Sequence, residues 1–270
     1  MGDARGLLLA PTTLVLQVAH PVVGAGVNDH SDFRGDAWGR LLRTINSAVR
    51  FTYGDDAVAA AEAERLRALH RRIQGVDHRG RRYHALDPAA YAWVHLTLAH
   101  LGVETRRLFG RPLSGDQLER FYGEWRQIGL RLGVSATEMP PTWSAFTVYF
   151  EHMVADELEV NDAVLEVLDA VRRPPSPAGW LPAPLWAPVA EGAGAVQTTF
   201  TLGTLPPPLR DALGVRWTAI DEGRLQAYSR AVRLAGRAIP PPLRYVPQVA
   251  PHAVRAWRRS LGPLARRVAR

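Results

Sequence analysis

From Leu7 to Val27 the chain runs for twenty-one residues without a charged side chain. A stretch of that length must be kept out of water, in a bilayer, in a cleaved leader or inside a protein core. Arg5 before the apolar run and Gly24, Ala25 and Gly26 within its last positions fit a leader. Pro11 and Pro21 near the ends of the run, with Gln17 and His20 between them, argue against an uninterrupted span. The expectation is a buried core helix that the remaining elements must cover.

Those elements read as helices. Ala59, Ala63, Leu66, His70 and Ile73 recur at intervals of four, three, four and three, an inward seam. Asp87-Pro88 is a cap followed by proline at the first helical position, opening a helix to about Phe109 with Tyr91, Val94, His95, Leu98, Leu101 and Leu108 inward. Ser114 and Gln117 form a capping box ahead of Leu118, Phe121, Trp125, Ile128 and Leu132. Pro140-Pro141 opens a segment with an aromatic stripe, Phe146, Tyr149 and Phe150, and another helix covers about Val160 to Val171. The segment from Gly75 to Leu86 reads as a polar turn or short hairpin. From Pro174 to Pro188 the proline content excludes regular helix, and the tryptophans there suit an ordered crossing packed on the body. Proline triplets at 206–208 and 240–242 add further corners. No run alternates with period two and no repeat is evident. The expected fold is all-α, a single orthogonal multi-helix bundle over residues 1–270, with a basic C-terminal helix from about residue 251.

Polar chemistry is concentrated between His20 and Phe51. Asn28, Asp29, His30, Ser31 and Asp32 read as a connection into a helix that Asp36 caps. Along that helix Trp38, Leu41, Leu42, Ile45 and Val49 close an apolar arc, and the opposite arc gathers Arg40, Arg43, Thr44 and Ser47. Two readings fit this face: a solvated surface, or a pocket for an anion or cofactor. His70 and His95 each fall on an inward row, where a histidine is a hydrogen-bonded core residue or a ligand. Arg65, Arg67, Arg71 and Arg72 around His70 would raise the local potential.

Composition narrows the chemistry. Cysteine is absent, which excludes disulfides, iron–sulfur clusters, thiolate haem ligation and cysteine-based zinc sites. Glycine-rich phosphate loops, HExxH and GxSxG are absent too. The net charge of +7 owes much to Arg255, Arg258, Arg259, Arg266, Arg267 and Arg270, crowded into the last sixteen positions. That tail suits either a solvated helix or attraction to an anionic membrane.

The stretches LVLQVAHPVVGAGVNDHSDF, DAWGRLLRTINSAVRFTYG, LHRRIQGVDHRGRRYHALDPAAYAWVHLTL, PPTWSAFTVYFEHM and LGTLPPPLRDALGVRW, in this order, resemble the oxygenase family that includes the latex clearing (rubber) oxygenase and the fungal oxygenase of mycophenolic acid biosynthesis. The likeness covers nearly the whole chain. It implies an all-α fold with a pocket for haem b, a histidine as proximal iron ligand, and a helix bearing Arg-x-x-Lys-Thr on the distal side. Carried onto this chain, Arg40, Arg43 and Thr44 occupy the distal motif, His70 matches the proximal ligand and metal-binding residue, and His95 is the fallback. The chain departs from the rubber oxygenase at Arg43, where that enzyme has a lysine able to close on the iron. A guanidinium stays protonated and cannot ligate. The sixth position is then open to water, His20 or His30, and Asp29 is the nearest counterpart of the distal glutamate.

The reading that follows is a haem-dependent oxygenase acting on a small or lipidic apolar substrate with dioxygen or peroxide. The protein is expected in the cytoplasm, with peripheral membrane contact through the basic terminus as an option, no specific nucleic-acid partner, and a homodimer compatible with the proline-rich corners. Two rivals remain: a helical binding protein docking on anionic membrane or nucleic acid, and a non-haem metal enzyme using His20, His30 and Asp29.

Overall fold

The computed structural model describes residues 2–30, 37–177, 181–240, 244–247 and 249. The uncharged run forms two helices, α1 (Ala10–Ala19) and α2 (Pro21–His30), bent 103° apart. Pro21 has no N–H to offer the carbonyl of Gln17, which accepts from His20 instead, so α1 ends there. The freed carbonyls are satisfied from across the fold: Ala19 accepts from the Glu159 N–H at 2.9 Å and Val18 from Asn161 Nδ2 at 2.8 Å. A Cβ on Gly24 would lie 2.5 Å from both Val18 O and Asn161 Nδ2, so the corner closes only around glycine. The expected single core helix is thus two, and Asn28, Asp29 and His30 belong to the last turn of α2 rather than to a connection. Among the described residues no single helix is long and apolar enough to cross a membrane.

α3 (Ala37–Tyr53) and α4 (Asp56–His70) form a hairpin, followed by the antiparallel strands β1 (Gln74–Val76) and β2 (Arg82–His84). α5 (Pro88–Phe109) and α6 (Gly115–Arg131) begin at the expected Asp87 cap and Ser114–Gln117 capping box. α7 (Trp143–His152) starts later than expected, at a Thr142 cap, and ends in a π-turn over Met153–Glu157. α8 (Asp162–Arg172), α9 (Ala183–Thr204), α10 (Pro207–Ala212) and α11 (Ala219–Ala238) complete the described helices, and the fold is all-α.

α1 lies at the centre, against α5, α8 and α9. Val15, Leu16, Val18 and Ala19 are fully buried with Trp93 and Val164. Gln17 stays inside because its amide donates to Val94 O and Thr97 Oγ1, while Trp93 Nε1 donates to Leu16 O at 2.8 Å. α5 is covered on more than one side, so Trp93, Leu96 and Ala99 are buried as deeply as the predicted His95 and Leu108.

Two expectations need correction. Residues 183–188 are helical, against the expectation that the prolines from Pro174 to Pro188 exclude regular helix. Pro184 stands in the first turn of α9, where its missing N–H has no intrahelical acceptor to leave unpaired, and Pro188 forgoes a single bond. α9 docks on the end of α8 through Gly194, where a Cβ would meet Arg172 O at 2.2 Å. The apolar arc of α3 faces inward only in part: Leu41, Ile45 and Val49 are half-buried, Trp38 and Leu42 are 40% and 51% exposed, and Ser47, from the opposite arc, is buried. The cause is a carboxylate on α4, described below. The basic tail, the cap Asp36, and Ser31, Asp32 and Trp180 fall outside the described residues.

Candidate functional site

α4 starts at Asp55, whose carboxylate accepts from the Val58 N–H, and its inward row runs through Ala59 and Ala63 to His70 at the last position. The His70 ring meets Tyr91 of α5 edge-on, 5.7 Å between centroids. Burial lowers its pKa, the Leu66 carbonyl one turn back opposes that, and the Arg65 charge adds to it. Leu66 is close enough to favour the protonated ring, yet Nδ1 is buried without a completed hydrogen bond. His70 is therefore a neutral imidazole at pH 7 whose buried Nδ1 has no completed hydrogen bond among the described residues.

Only Gly54 and Asp55 separate α3 from α4. Glu62 of α4 is 2% exposed and accepts from Ser47 Oγ at 2.6 Å, from Arg65 in a fork, and pairs with Arg50 at 3.2 Å. The Arg65 hydrogen bond, aided by Ser47 and the Arg50 charge, holds its carboxyl below the usual range despite burial. This buried carboxylate, which sequence reasoning did not single out, turns Ser47 of the polar arc of α3 inward: an unpaired charge there would cost several kcal/mol, roughly 3–5. Its one sequence signal is a glutamate among the alanines of an inward row. The register that Ser47 and Glu62 set in the hairpin carries the first turns of α3, with Arg40, Arg43 and Thr44, toward the His70 end of α4. Arg40 is half-buried, Arg43 and Thr44 are exposed, and both arginines are engaged. The positive field expected around His70 is reduced, because Arg65 is spent on Glu62 and Arg67 and Arg71 pair with Glu64.

The other histidines separate by what holds them. His95 is 4% exposed, stacks on Trp125 with ring planes 9° apart, and donates from Nε2 to Trp125 O at 3.0 Å. Trp125 Nε1 returns a bond to His95 O, and burial pushes the imidazole down to about 4. Its ring thus joins α5 to α6. His30 is exposed, 3.4 Å from Gln74 O, and Asp29 accepts from the Tyr83 hydroxyl at 2.6 Å. His20, at the α1–α2 corner, is buried with Nδ1 unpartnered, and burial outweighs Asp87, Glu157 and Glu159 in lowering its pKa. Among the described residues no three His, Asp or Glu side chains gather as a metal-holding group, so His20, His30 and Asp29 do not assemble one.

The frame is that of an all-α domain, with a half-buried, neutral imidazole at the end of an arginine-bearing hairpin. The chain belongs to the family described as "ER-bound oxygenase mpaB/B'/Rubber oxygenase, catalytic domain", whose model matches residues 1–234, and so carries an oxygenase-type catalytic domain. It is also similar to two uncharacterised proteins, from Mycobacterium bovis and Mycobacterium tuberculosis, each 28% identical over 242 residues, 87% of this chain and 90% of theirs. No solved structure matches the chain.

Proposed function

We propose that this oxygenase domain binds haem b through His70 and acts on a small or lipidic apolar substrate with dioxygen or peroxide. The observation that carries the reading is the His70 ring: half-buried at the end of α4, neutral, with Nδ1 turned inside near the Leu66 carbonyl and Nε2 without a hydrogen bond among the described residues. The donor set suits a porphyrin iron, which needs one imidazole from the protein where a bare ion needs three or four ligands. The Leu66 carbonyl stands where it can orient the ring, the role a hydrogen-bond partner plays for a metal-ligating histidine.

Bound haem would supply the activation of oxygen or peroxide. The chain's own part is binding and electrostatics. Arg40 and Arg43 offer guanidiniums to a propionate or a polar oxygen, and the exposed Trp38 and Leu42, with the half-buried Leu41, Ile45 and Val49 beside them, offer apolar surface to a hydrocarbon. Arg43 remains a cation and does not compete for iron.

An absorption spectrum of the purified chain, before and after haem addition, tests the proposal. The expected result is a Soret band that His70→Ala abolishes or shifts and His95→Gln leaves in place. A chain that stays colourless with added haem, or whose band is indifferent to His70, overturns it.

A further inference from the structure

Away from α3 and α4, a cavity of about 640 Å³ opens between the second half of α5, the α9–α10 corner and α11. A volume of that size suits a small organic ligand. Four guanidiniums, of Arg107, Arg210, Arg230 and Arg233, line it against two carboxylates, Glu104 and Glu222, and neither His70 nor the α3 arginines take part. His100, on the same wall, is stacked flat on Phe150 at 4.4 Å, and burial favours its neutral form. The lining therefore carries a surplus of two positive charges.

The partners of these groups show which charges are spent. Arg107 is forked onto Glu104 at 2.7–2.9 Å. Glu222 accepts from Trp217 Nε1 and Gln226 Nε2, both at 3.1 Å. Arg233 donates to Leu108 O, and Arg210 donates to the Leu202 and Gly203 carbonyls with its plane 5.3 Å from the Trp217 ring. Arg210 and Arg233 are thus positioned by neutral acceptors, and Arg230 has no hydrogen bond or ion pair among the described residues. Ser229, the neighbour of Arg230 on α11, also lines the cavity. It is 3% exposed, and its hydroxyl is buried with no partner. A buried hydroxyl without a partner is unfavourable for the folded chain and calls for an acceptor.

We infer that this cavity binds the phosphate end of a small organic phosphate. A phosphomonoester carries close to two negative charges at neutral pH and three acceptor oxygens, which matches the surplus charge, the Arg230 guanidinium and the Ser229 hydroxyl beside it. The cavity is too large for the phosphate alone, so an organic group fills the remainder beside His100 and Leu225. The inference does not depend on haem binding at His70.

Isothermal titration calorimetry with phenyl phosphate, inorganic phosphate and benzoate tests it on the purified chain. Phenyl phosphate binds best and inorganic phosphate more weakly. Arg230→Gln weakens phenyl phosphate by at least about tenfold, the scale of one charge-assisted hydrogen bond. Arg131→Gln, at an exposed position of α6 away from the cavity, makes the same charge change and leaves binding intact. Ser229→Ala gives the sharper signature: the unliganded chain melts higher, because an unsatisfied hydroxyl is removed, while phenyl phosphate binds less tightly. Benzoate binding as well as phenyl phosphate, equal losses in Arg230→Gln and Arg131→Gln, or no heat at millimolar phenyl phosphate would each overturn the assignment.

Discussion

Ser47 of α3 and Glu62 of α4 share a 2.6 Å hydrogen bond with both side chains under 10% exposed, and this contact ties the polar arc of α3 to α4. Removing the hydroxyl leaves Glu62 its two arginines, each more than half exposed, but takes away the donor on the buried side. Ser47→Ala should lower stability by roughly 1–2 kcal/mol, with Ser47→Thr closer to the parent. Urea midpoints at pH 7 measure this, and an unchanged Ser47→Ala midpoint would mean that the bond is replaced by water.

His95 makes the fold acid-sensitive in a defined window. Its pKa falls from 6.5 to about 4 on folding, so the unfolded chain takes up the proton first. Its contribution is complete above pH 6.5 and is lost as pH drops toward 4, in total about 3 kcal/mol. Glu62 behaves differently: its carboxyl is depressed in the fold, so its contribution holds above the ordinary carboxylate range and fades only as pH falls through its folded pKa. Stability measured from pH 7 to 5 should slope downward in the parent and in Glu62→Gln, and less steeply in His95→Gln.

Asn161 joins two elements, since Oδ1 caps α8 at Val164 N while Nδ2 serves Val18 O at the end of α1. Asn161→Ala should cost roughly 1–3 kcal/mol through the lost cap and the orphaned carbonyl. Asn161→Asp keeps the acceptor and loses the donor, so thermal denaturation should place it between the two. Gly24→Ala should also destabilise, although alanine is the better helix former, because the added carbon meets backbone at 2.5 Å.

Under the haem proposal, Arg43→Lys restores a side chain able to lose its proton and reach a metal. The haem-loaded variant should gain a six-coordinate, low-spin absorption spectrum at alkaline pH, whereas Arg43→Gln should not. Identical spectra from the two variants would remove Arg43 from the distal side.

The helical class, the caps at Asp87 and Ser114, the hairpin near Gly75 and the core reading of Phe146 followed directly from spacing and cap chemistry, which act over a few residues. What sequence could not show depended on distant partners. The α1–α2 bend is completed by Asn161, the orientation of α3 by Glu62, and the commitment of His95 by the Trp125 carbonyl. For the site, Arg40, Arg43, Thr44 and His70 share one helical hairpin, as local order allows. Ser229 matters through a cavity assembled from four separate helices, and no local pattern announces that.

The position of α1 has a consequence for synthesis. The most water-averse part of the chain leaves the ribosome well before the groups that shelter it: Asn161 is 143 residues downstream of Val18, and Thr204 is 192 beyond Thr12. Until translation reaches them, nascent α1 has no native surface to rest on. Slow, long-range closure of this kind makes the newborn polypeptide a client for holding chaperones and exposes it to aggregation in rapid overexpression, however stable the finished molecule proves.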